Sequence, residues 1–110
     1  MPTFIVQGQY SREAIKGFVA KPHDRREVVA KVLEACGATL KEFYVTSGEN
    51  DFLIILEAPD QESAVSAGLT AAAAGGIAHA STQRAWTGAE FRKMCEKAAA
   101  AAPSYKLPGT

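Results

Sequence analysis

The apolar positions of the chain change period along its length, and each change marks an element. Thr3-Phe4-Ile5-Val6-Gln7-Gly8-Gln9 is short, opens with β-branched and aromatic residues, and reads as a first strand. Ser11 can cap the helical turns that follow through Ile15 and Phe18, and Pro22 interrupts or restarts them. Asp24-Arg25-Arg26-Glu27 has capping-box spacing. Behind it Val28, Val29, Val32, Leu33 and Cys36 recur at helical intervals as one stripe, and Gly37 stands where a C-cap belongs. Leu40 to Thr46 and Phe52 to Glu57 read as the second and third strands. The turn formers Ser47-Gly48-Glu49-Asn50-Asp51 join them as a hairpin. Pro59 and Asp60 open another helix, with Ala64, Val65, Gly68, Leu69 and Ala72 on one face and Gly75-Gly76 at its end. Ile77 to Trp86 is a fourth strand. Thr87-Gly88-Ala89-Glu90 has the spacing of a second capping box, and starts a short C-terminal helix bearing Phe91, Met94 and Cys95.

The order β-α-β-β-α-β plus a terminal helix predicts an α+β, ferredoxin-like fold with a four-stranded antiparallel sheet. In that topology the third strand lies between the first and second, and the fourth flanks the first. Two crossover helices cover one face only, so the other face should alternate with polar residues. Phe52-Leu53-Ile54-Ile55-Leu56 is instead apolar throughout, and Phe4-Ile5-Val6 and Phe43-Tyr44-Val45 behave alike. About five such side chains facing water would each forgo roughly 1.5–3 kcal/mol. The sum, on the order of 10 kcal/mol, rivals the whole stability of a typical domain. A second copy of the chain is the simplest cover, and the C-terminal helix folding back over the sheet is the alternative.

Composition narrows the partners. Twelve basic and twelve acidic side chains balance, giving no general electrostatic reason to bind nucleic acid or an anionic membrane. No apolar run approaches the roughly 20 residues of a membrane span, and the first residues lack a signal-peptide pattern. Cys36 and Cys95 make neither a disulfide framework nor a metal pattern, so a reduced, cytoplasmic protein is expected. Two histidines support no metal site, no glycine-rich loop precedes a helix to hold phosphate, and no cofactor is indicated. From Arg84 onward five basic residues face two acidic ones, which reads as a solvated helix face. Residues 1–97 form the expected domain. Residues 98–110, an alanine run broken by Pro103 and followed by Pro108 and Gly109, form an expected mobile tail.

Several segments resemble the GYD-domain family. These are Met1-Pro2-Thr3-Phe4-Ile5, Gln9-Tyr10-Ser11, the run from Leu40 to Asp51, Glu57-Ala58-Pro59-Asp60, and Arg84-Ala85-Trp86-Thr87-Gly88-Ala89-Glu90-Phe91. The likeness covers roughly residues 1–97. Of the Gly-Tyr-Asp signature, Gly48 and Asp51 match, and Asn50 stands where tyrosine is usual. The resemblance implies a ferredoxin-like domain of the dimeric α/β-barrel type and no particular activity. Relatives by fold include small monooxygenases and isomerases as well as ligand-binding and regulatory domains.

The topology predicts that Tyr10, Arg12, Lys16, Asn50, Asp51 and His79 lie at one end of the sheet, where a cleft between sheet and helices would open. Together they offer a proton acceptor, a phenol, an imidazole and cations, suited to a small polar molecule. Each also has a plainer reading: Asp51 as a turn residue, His79 as a packed or interface histidine, Tyr10 as a packing aromatic. Three functions follow as expectations. They are a homo-oligomer binding a small molecule beside each sheet, a cofactor-independent enzyme with Asp51 or His79 as base, and an assembly module.

Overall fold

A computed structural model describes residues 1–110 and contains strands β1 (Thr3–Tyr10), β2 (Thr39–Val45), β3 (Phe52–Glu57) and β4 (Ile77–Ala85). Its helices are α1 (Arg12–Ala20), α2 (Arg26–Ala35), α3 (Gln61–Ala73) and α4 (Gly88–Ala101), with a single 3₁₀ turn at Ala102–Ser104. The sheet is antiparallel in the order β2-β3-β1-β4, the ferredoxin-like arrangement. Helices α2 and α3 pack on one face of it.

Local chemistry accounts for most boundaries. Ser11, Asp60 and Thr87 each turn a side-chain oxygen onto the amide three residues on, at the starts of α1, α3 and α4. The Thr87–Glu90 box is reciprocal, with Glu90 accepting from the Thr87 amide at 2.9 Å. Hydrogen bonds from these caps hold the Asp60 and Glu90 carboxyls below the ordinary carboxylate range. Gly37 and Gly75, just past α2 and α3, have φ of 82° and 83°, which a side chain would resist.

Two expectations need correction. Asp24 and Glu27 form no capping box: α2 begins two residues after Asp24, whose carboxylate accepts only the Arg26 amide, and Glu27 pairs with Lys31 along the helix. The inner face of α3 is Ala64 and Ala67, while Val65 and Leu69 look outward, one of them 63% exposed. Helix α4 runs on into the alanine stretch as far as Ala101, the alanines being the best helix formers. The alternative cover for the open face is absent as well: α4 does not fold back over the sheet, and its Phe91 and Met94 are exposed.

The core is small: Phe4, Val6, Phe52 and Leu56 from the sheet meet Leu33, Ala38, Ala58, Ala64 and Ala67. Strand alternation puts Ile5, Leu53, Ile55 and Tyr44 on the opposite face, in register across β1, β3 and β2. Gln7, Gln9, Ser81 and Gln83 surround them, so the uncovered apolar patch is narrower than the apolar run in β3 alone suggests. At the far end Arg84 fastens β4 to α4. Its guanidinium lies 5.7 Å from the Phe4 ring and 5.0 Å from that of Trp86, donates to Thr3 and Ala85 carbonyls, and approaches Glu90 at 3.6 Å.

Candidate functional site

Helix α1 meets the sheet where its Phe18 ring packs edge-on to Tyr10 of β1. Beneath it, between the helical layer and the sheet, opens a cavity of about 730 Å³. That volume lies within the range of small-molecule sites, ~300–1,000 Å³. The cause is visible in the residue sizes. Where α3 faces the sheet it offers Ala64, Ala67, Gly68, Ala71 and Ala74, and α1 offers Ala14 and Gly17, so no large side chain fills the space. Val6, Phe43, Phe52, Ile54 and Leu56 floor the cavity from the sheet, and Val29, Val32 and Leu33 wall it from α2.

Tyr10 is a half-buried polar group of its lining. The ring sits edge-on to Phe18 at 4.9 Å and 5.2 Å from Phe52, while the hydroxyl has no hydrogen-bond partner within the chain. Partial burial lifts the phenol above the ordinary tyrosine range. Arg25 works against that shift, and Asp51 adds to it. A folded-state value above the unfolded one means the stabilisation is complete below about pH 10 and is lost as pH rises through the folded value. Tyr10→Phe should therefore retain more stability than the parent in alkaline solution, as denaturation midpoints from about pH 9 upward would reveal.

Of the residues predicted to converge, Tyr10 lines this cavity, and Arg12, Lys16, Asn50, Asp51 and His79 do not. Asp51 is spent on the sheet: its Oδ2 accepts the Tyr10 amide at 2.9 Å, and its own amide donates to Gly8 at 2.7 Å, extending the β1–β3 ladder past its last pair. Asp51→Ala should cost about 1–3 kcal/mol by stranding the Tyr10 amide, and Asp51→Asn, which keeps an acceptor, much less; urea denaturation separates the two. Asn50 donates to the Gln7 side chain at 3.2 Å. His79 is exposed and pairs with Gln9, on the face turned away from the helices. Arg12 and Lys16 are exposed on α1.

Residues that sequence reasoning passed over stand at the mouth instead. Glu13, Lys21, His23 and Arg25 come from α1 and its connection to α2. His23 stacks on Phe18 at 5.2 Å, and its Nδ1 is 2.8 Å from the Lys21 carbonyl oxygen. The signal for them is Pro22, which ends α1 and turns the next residues back over the opening. No three His, Cys, Asp or Glu side chains gather as a metal site would require.

Known proteins place this fold. The GYD-domain family matches residues 4–95, from β1 into α4. The chain belongs to the GYD-domain family. No curated protein sequence matches it. The crystal structure of FFRP-DM1 is similar at 23% identity with a TM-score of 0.50, covering 78% of this chain and all of that one, which is a likeness of fold. In this GYD domain Gly48, at φ 99°, supplies the turn and Asp51 ties it to β1; Asn50, standing where the signature has tyrosine, bonds to Gln7. No helix is long and apolar enough to cross a membrane.

Proposed function

We propose that this GYD protein binds a small molecule in the cavity under α1, and does so as a homo-oligomer joined through the uncovered face of the sheet. The observation that carries the binding reading is the cavity itself: about 730 Å³ of apolar space with the Tyr10 hydroxyl left without a partner.

Gly17 provides the test. It lines the cavity from α1, and a Cβ placed there meets nothing within 4 Å. Gly17→Leu should raise the melting temperature, because the helix gains roughly 0.5–1 kcal/mol over glycine and the side chain fills empty space. The same variant should weaken saturable binding of a neutral apolar dye such as Nile red. Undiminished dye binding in a folded variant would remove the cavity as the site.

Support for self-association comes from Ile5, Leu53, Ile55 and Tyr44, neighbours in register on a face that neither α4 nor any other element of the chain covers. The enzymatic reading has less to rest on. A proton-transfer base must reach its substrate, yet the Asp51 carboxylate is directed to the Tyr10 amide and His79 belongs to the other face.

A further inference from the structure

The distribution of polar groups around the cavity goes further than its volume. Valine, leucine, isoleucine and phenylalanine side chains make up the floor and the α2 wall. The charged groups, Glu13, Lys21 and Arg25, come with His23 from α1 and the segment joining it to α2. Neither Lys21 nor Arg25 has a carboxylate within ion-pairing distance, since the four salt bridges of the chain involve Lys31, Lys41, Arg84 and Arg92. The hydroxyl of half-buried Tyr10 makes no hydrogen bond within the chain and is free to donate one. A phenol and a guanidinium lining one apolar chamber both ask for the same complement, an oxygen that accepts and carries negative charge.

Resting on the binding reading above, we infer that the occupant is an amphipathic organic acid, its carbon body on the sheet floor and its carboxylate between Tyr10 and Arg25. An alkylammonium would bring its charge against Lys21 and Arg25, with only Glu13 to receive it. An uncharged alcohol would fill the floor equally well but leave Arg25 without a counterion. The influence of Arg25 on the ionisation of Tyr10 is consistent with the two groups sharing one locale.

Three probes of one chain length separate these cases: octanoate, octanol and octylammonium, each titrated calorimetrically at about pH 8 and low salt. Octanoate should bind at least ~10-fold more tightly than octanol, the size expected for a charge-assisted hydrogen bond, and octylammonium more weakly than either. Arg25→Gln should bring octanoate down to the level of octanol, and Tyr10→Phe should weaken it by a smaller factor. Arg12→Gln, an exposed charge outside the cavity, should leave octanoate unchanged. Circular dichroism establishes that each variant is folded. Octanol binding as tightly as octanoate, or a preference for octanoate that survives Arg25→Gln, would overturn the assignment of an acid while leaving the cavity a binding site. Failure of all three probes to bind would overturn the binding reading itself.

Discussion

Gly8→Ala should lower stability by about 3 kcal/mol, seen as a fall in the urea midpoint at unchanged slope and a drop in melting temperature on the order of 15 °C. Gly8 sits in the middle of β1, and a Cβ there would strike the carbonyl oxygen of His79, stand 2.9 Å from the Ala80 Cα and meet the Phe52 ring at 2.8 Å. Overpacking in a core usually costs ~1–3 kcal/mol, and neighbours that can rotate away keep the figure low. Here two of the three obstacles are main chain of the paired strand, which moves only by opening the β1–β4 ladder. Phe52 is buried and also forms part of the cavity floor. Adding Phe52→Leu to Gly8→Ala would clear one obstacle and leave the other two, so it should recover only part of the loss. A fall below about 1 kcal/mol in the single variant would mean that β4 yields easily, contrary to a tightly spaced sheet.

Leu53→Glu should leave the fold intact and convert the proposed oligomer to single chains. Leu53 lies on the uncovered face opposite Tyr44 on β2 and Gln7 on β1, so in one copy the new carboxylate is free to meet water. Between two copies it would be buried without a partner, at a cost of several kcal/mol, and a two-fold contact incurs this twice. Weakening of association by ~10³-fold or more is expected, with thermal stability measured on dilute protein nearly unchanged. Sedimentation equilibrium reads both proteins directly. A wild-type chain that sediments as a single copy at high concentration would remove the interface.

The fold was legible because its stops and starts are chemical. Ser11, Asp60 and Thr87 cap the helices that follow them, and Gly37 and Gly75 adopt a backbone conformation that few other residues accept. The order of elements then leaves little choice of topology. Which end of the sheet a residue occupies was legible too: Tyr10, Asp51 and His79 are indeed neighbours along the strands. Which face it occupies was not. Gln9 pairs with His79 but Tyr10 with Ile77, an irregularity that skips Ala78, and in a strand one residue reverses the side. The cavity was hidden for a different reason. Periodicity records where apolar residues fall and says little about their size, so Val65 and Leu69 drew the face of α3 toward themselves. The true inner face, Ala64 and Ala67, is made of residues too small to announce it. The mouth residues His23 and Arg25 follow a proline in a connection without period, where only three-dimensional closure assigns them a neighbour.

Helix α4, held at its base by Arg84 and the Thr87 cap, also governs how this molecule will behave in flow. A chain of 110 residues folded into a ball has a radius of gyration of about 13 Å, whereas this one has 18.0 Å and measures 61 × 31 × 22 Å. Friction follows shape as well as mass. A lone subunit will therefore leave a sizing column early, with an apparent weight above its own 11.6 kDa.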